Sequence, residues 1–219
     1  FRTKESTEMF YTMLKYHLDH SDPYDVVIVG DDAALRFAMA FREDLFDDIP
    51  IVFEGVNDEE YALEAAKNPL VTGILEKLSV EKNIDMALKV NPSADKVVAI
   101  LDDSVTGEAE RKNFYSAEAK YPELEFSEIN SSELTTAKLQ QAVSKVDENT
   151  ILIYIVMSND GSGKQYTNAQ AIRMLVTYSK VPVYRMVEGG IGDGLLGGNV
   201  VSMYKSGELS LIHISEPTR

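Results

Sequence analysis

The chain has 219 residues, of which 44% are apolar and 26% charged, the make-up of a folded globular protein rather than a disordered one. Its 21 basic and 36 acidic side chains leave a formal charge of −15, a field that repels nucleic acid and anionic lipid head groups and argues against both as partners. Cysteine is absent, which removes thiol catalysis, disulfides and cysteine-held metal clusters.

In chain order, Met9, Phe10, Met13, Leu14 and Leu18 share one face at helical spacing and predict a helix over 5–18. Ser21, Asp22 and Pro23 break it. DVVIVG (25–30) is a continuous apolar run, suited to a parallel strand covered on both faces. A helix is expected over 33–45, a strand over 50–53 (PIVF) and a helix over 59–67. Residues 69–76 read as a connection between two halves. Val80, Ile84, Ala87 and Leu88 mark a helix with Ser79 at its N-cap. KVVAIL (96–101) is the next strand, followed by a helix over 107–120 and a strand over 124–129. Leu139, Ala142, Val143 and Val146 line a further helix. TILIYIVM (150–157) is the most apolar run and predicts a central strand. A helix over 168–178 and strands over 182–186 and 199–204 complete the series. The last ten residues, SLIHISEPTR, break with this logic and resemble a translated sequencing-adapter read-through. Residues 210–219 are therefore expected to be a non-native tail, with Leu211, Ile212 and Ile214 able to form a short strand.

Regular strand–helix alternation implies right-handed crossovers and an open parallel sheet, or two of them. VVIVGDDAA (26–34) is echoed by VVAILDDSV (97–105) about seventy residues later, which favours two similar α/β lobes over one continuous sheet. The expected division is a first lobe over 1–70, a second over 71–181, and a return towards the first over 182–209.

Ligands of open α/β sheets bind beyond the carboxyl ends of the strands. Those ends carry Gly30, Asp31 and Asp32; Glu54 to Asn57; Asp102, Asp103 and Ser104; Ser158, Asn159 and Asp160; and a stretch beginning at Glu188. The set is acidic and amide-bearing, suited to hydrogen-bonding an amine or several hydroxyls. The competing reading makes each aspartate the cap of its own helix. Phe53 and Tyr166 read as core before stacking surface. The glycine-rich run 189–198 is either a mobile loop or backbone held close to a ligand.

Familiar motifs fail on context. Gly192, Gly194 and Gly197 fit G-x-G-x-x-G, yet a strand-like NVVSMY follows where a helix is required. GSGK (161–164) lacks the glycine and hydroxyl residue that a phosphate loop needs at 158 and 165. The Asp102–Asp103 pair lacks the correctly placed later Asp and Lys of a receiver domain. Carboxylate or metal-dependent catalysis stays open, because spacing alone does not separate a catalytic pair from caps.

The segment PYDVVIVGDDAALRFAMAFREDLFDDIPIVFEGVN (23–57) is similar to a signature of periplasmic-binding-protein-like sensor domains. These occur in extracytoplasmic parts of bacterial sensor histidine kinases and belong with the ABC transporter substrate-binding protein family. Val71-Thr72-Gly73, Asp102-Asp103 and Gly197-Gly198 extend the resemblance to about residue 207. It implies two Rossmann-like lobes of the type I binding-protein architecture, truncated here at both ends, since the family has a further strand and helix before Phe1 and more helix beyond Ser206. It implies no enzyme activity, cofactor or metal for this domain. Instead it implies capture of a small polar solute, an amino acid among the candidates, by lobe closure outside the cytoplasm. The partner is then a membrane-embedded signalling segment or an ABC permease. The ligand-lining positions carried over are Asp31, Asp32, Asn57, Asp103, Ser104, Asn159 and Glu188.

Overall fold

Among the described residues, 3–215 of this computed structural model, eight strands form two sheets in which every pairing is parallel. Two compact units contain them. One runs up to Glu76 and resumes at Tyr204, and the other is Lys77–Met203. The parallel α/β class and the pair of Rossmann-like units match the sequence expectation.

In the first unit, β1 (Val27–Gly30), β2 (Ile51–Val56) and β3 (Val71–Leu75) lie in the order β1-β2-β3. α1 (Lys4–Asp19) starts at Thr3, whose hydroxyl accepts the Ser6 N–H while Ser6 reciprocates in a capping box. Its Phe10, Leu14 and Leu18 pack on a core of Val29, Leu35, Phe37, Ile51 and Phe53. The helix expected over 33–45 is divided at Phe41 into α2 (Asp32–Ala40) and α3 (Arg42–Leu45). α4 (Glu59–Ala65) is capped by Asp58, which accepts the Tyr61 N–H. β1 is an edge strand, and along it runs an apolar hollow of about 430 Å³ lined by Phe10, Leu14, Val27, Ile28 and Phe37.

The second unit follows the doubly wound order β5-β4-β6-β7-β8. Its strands are β4 (Lys96–Leu101), β5 (Glu125–Asn130), β6 (Thr150–Tyr154), β7 (Val183–Val187) and β8 (Leu196–Val201). Its helices are α5 (Val80–Val90), α6 (Val105–Ser116), α7 (Thr136–Ser144) and α8 (Asn168–Tyr178). Both faces are covered. Val97, Ala99, Leu101, Ile151 and Ile153 enter one apolar cluster, while Ile100, Leu152 and Tyr154 enter another. That is why these strands read as unbroken apolar runs.

Several expectations are corrected. Residues 71–75, assigned to the second lobe, form β3 and pair with β2 in register Ile51↔Val71. The connection between units therefore falls after Glu76. Residues 182–209 do not simply return to the first unit, because β7 pairs with β6 and β8 with β7. The strand anticipated at 199–204 begins earlier, at Leu196, and the chain turns helical at Met203. Leu211, Ile212 and Ile214 lie in that helix, α9 (Met203–Ser215), rather than in a strand. Residues 216–219 of the expected tail lie outside the described residues. In the glycine-rich run, Gly190, Gly192 and Gly194 hold φ of 95°, 94° and 103°, a sequence of turns that side-chain-bearing residues rarely follow, and 196–198 join β8.

Candidate functional site

In the second unit, the strand following β4 in sequence lies on one side of it and β6 lies on the other, so the direction of winding reverses between β4 and β6. A crevice at the carboxyl ends of such a pair is the usual ligand position in open α/β sheets. Asp102 follows β4 there and is fully buried. Its Oδ1 accepts the Ser104 N–H at 3.0 Å, and its Oδ2 accepts the Ser158 N–H at 2.8 Å together with the Ser158 hydroxyl. Burial works to raise the pKa of this carboxyl, but the hydrogen bonds from Ser104 and Ser158 outweigh it and hold the group below the usual value.

Ser104 is the N-cap of α6 and accepts the Gly107 N–H at 3.1 Å. A Cβ on Gly107 would stand 2.1 Å from the Asp102 carbonyl oxygen, so only glycine lets the helix approach the strand end this closely. Asp103 is exposed, and its Oδ1 accepts from Arg111 at 3.0 Å and from the Asn130 amide at 2.8 Å. Ser132 follows β5. Its Oγ accepts the Asp103 N–H at 3.0 Å and the Asn159 Nδ2 at 3.4 Å. Three strand-end loops thus meet at one serine. Asp160, next to Asn159, is also buried. Burial would raise its pKa, yet hydrogen bonds from Ser162, Thr136 and Lys164 drive it well below the ordinary carboxylate value. Tyr166 packs against the core and bonds Thr136 at 2.6 Å, as its reading as a core residue required.

In the first unit, the buried Asp32 accepts the backbone N–H groups of Asn57 at 3.1 Å and Asp58 at 2.9 Å through Oδ1. Asn57 in turn donates to the Glu76 carbonyl oxygen at 3.1 Å. Asp31 is exposed, with φ 78° and ψ 158°, and its Oδ1 accepts the Asp32 N–H at 2.6 Å.

The structure therefore gathers Asp31, Asp32 and Asn57 at one set of strand ends, and Asp103, Ser104 and Asn159 at another. Glu188 stands apart, exposed in the turn after β7, with its N–H on the Val201 carbonyl oxygen at 3.2 Å. Asp31 and Ser104 each accept a backbone N–H at the start of their own helix, the capping role that competed with ligand contact in the sequence, whereas Asp32 spends its Oδ1 on the loop after β2. Asp102, named from the sequence among the strand ends but not among the ligand-lining positions, holds the loops, and Ser132, where they join, was not singled out at all. Among the described residues no group of three or more His, Cys, Asp or Glu side chains is arranged to hold a metal ion. No helix among them is long and apolar enough to cross a membrane.

No protein-family model matches the chain, and no curated protein matches it. Solved structures do. An ABC domain from Streptococcus pneumonia in complex with L-Trp superposes with a TM-score of 0.67 at 16% identity, covering 96% of this chain and 72% of that one. A conserved domain protein from Vibrio cholerae gives a TM-score of 0.68 at 15% identity, covering 95% of this chain and 68% of that one. The chain has a periplasmic-binding-protein-like fold. Within that fold the strand-end loops of each unit carry the polar and acidic groups, whereas the hollow beside β1 is apolar.

Proposed function

We propose that this chain is an extracytoplasmic solute-binding domain whose ligand is a small polar molecule of the amino-acid class. The observation that carries this reading is the likeness, over nearly the whole chain, to a structure holding L-Trp. The joined loops at the β4/β6 reversal support it. Binding without bond chemistry is favoured because both oxygens of the buried carboxylates Asp102 and Asp160 already accept hydrogen bonds that lower their pKa, which makes them poor proton donors and weak bases alike.

The bound state serves as the input of a signalling protein, the output that the 23–57 signature favours. The second reading, delivery of the solute to an ABC permease, draws on the same L-Trp-bound neighbour. Either output needs a partner in the membrane.

A thermal-shift screen of amino acids, sugars and nucleobases tests the binding claim. A solute at a hundred times its dissociation constant adds about 2.7 kcal/mol of apparent stability. An upward shift with at least one amino acid is expected. A shift with Mg²⁺ or Mn²⁺ and with no organic solute would instead favour a metal-dependent activity.

A further inference from the structure

A serine hydroxyl has two acceptor lone pairs and one proton to donate. At Ser132 the Asp103 N–H and the Asn159 amide both point to Oγ. Among the described residues no acceptor takes the Ser132 proton. With its lone pairs occupied, the hydroxyl can add a partner only by donating. Ser132 is half-buried and sits where the loops after β4, β5 and β6 meet. The neighbouring acidic group does not offset this donor with a bare charge, because Arg111 and Asn130 already hold Asp103.

The geometry points to Ser132 as a solute-contacting residue that donates to a carboxylate or carbonyl oxygen of the ligand. This rests on the solute-binding reading above and sharpens it. The acidic composition of the loops suggests an amine, whereas the one hydroxyl they jointly fix is set to meet an oxygen acceptor. An amino acid presents both groups, and Ser132 takes its carboxylate end.

Two matched probe series test the proposal on the full chain by calorimetry: L-tryptophan, tryptamine and indole-3-propionate, and L-leucine, isoamylamine and 4-methylpentanoate. Wild-type protein is expected to bind a carboxylate-bearing probe of at least one series more tightly than the matched amine. Ser132→Ala should weaken that carboxylate probe roughly tenfold or more, the loss expected for a hydrogen bond to a charged group. Any loosening of the loops that Ser132 joins acts on both probes alike, so the matched amine should weaken at least several-fold less than the carboxylate. A purely structural role would weaken amine and acid alike, and that result overturns the proposal. Ser132→Thr, which keeps the hydroxyl, should retain the preference. Should Ser132→Ala not fold, Ser132→Cys, whose thiol is a weak donor, carries the same comparison. Wild-type protein that prefers the amines overturns the proposal while leaving solute binding intact. Wild-type protein that binds neither carboxylate series also overturns it, and the wider screen of sugars and nucleobases then shows whether solute binding falls with it.

Discussion

The Asp102 carboxylate accepts the Ser158 N–H at 2.8 Å and so joins the end of β4 to the loop after β6. The first unit repeats the device: Asp32, just after β1, accepts two N–H groups from the loop after β2. In each case a buried carboxylate replaces the water that would otherwise satisfy strand-end backbone groups.

Asp102→Asn tests how much that junction contributes. The substitution keeps the shape, but it removes the charge and points an amide N–H at one of the backbone donors it must satisfy. With hydrogen bonds to charged groups at ~1.5–3 kcal/mol each, a loss of about 2–4 kcal/mol is expected. Urea unfolding followed by circular dichroism reads the loss. Hydrogen exchange should localise it to the Ser104 and Ser158 amides, while the strand amides of β4 and β6 keep their protection.

Acid should act through the same groups. Asp102 and Asp160 both have folded-state pKa values below their ordinary ones. The unfolded chain therefore binds protons more readily, and the stability these groups confer is fully present above about pH 4, the unfolded carboxylate value. It is lost as pH falls through the lower folded values. Urea midpoints measured from pH 7 down to pH 2 should decline below about pH 4. The decline should be shallower in Asp102→Asn, which has no carboxylate there to protonate. An unchanged slope would assign the acid sensitivity to other carboxylates.

Gly107→Ala places a Cβ against the Asp102 carbonyl oxygen, where the gap is 2.1 Å, and against its side chain at 2.8 Å. The backbone of α6 must shift to accept it. Overpacking of this kind costs about 1–3 kcal/mol, more than the helix propensity gained from alanine. A stability equal to or above that of the wild type would show that α6 has room to move away from β4.

The sequence made the parallel α/β class legible because buried strands carry unbroken apolar runs, as in the TILIY of β6. α8 was legible to the residue, since the Thr167–Gln170 capping box fixes its start. β3 was missed because only its first residue, Val71, is fully buried, so VTGIL shows no pattern and reads as a connection. The site was legible in outline only. Aligning the two Asp-Asp pairs sets Asp31 against Asp102 and Asp32 against Asp103, yet the buried members are Asp32 and Asp102. The Gly30–Asp31 turn, with the positive φ of Asp31, starts the first helix two residues earlier than its counterpart, and no sequence pattern marks that shift. Ser132 gives no local signal at all, because its role arises from three loops distant in sequence.

Asp31 offers the most direct test of whether strain and binding coincide. Its φ of 78° with ψ of 158° lies in a region that is essentially glycine's alone, and an L-residue held there costs on the order of 1–3 kcal/mol. Asp31→Gly relieves the strain but forfeits the bond from the Asp32 N–H to Oδ1 and adds unfolded-state entropy. The strain term is the larger, so the variant should be more stable by about 1 kcal/mol. If the Asp31 carboxylate contacts the solute, the same variant should bind it more weakly, so that stability rises as affinity falls. Asp31→Asn, which keeps the strained backbone and a side-chain acceptor, should lose affinity without gaining stability. Unfolding curves and solute titrations on the two variants separate these effects, and a glycine variant that is less stable than wild type would show that the Oδ1 bond outweighs the strain.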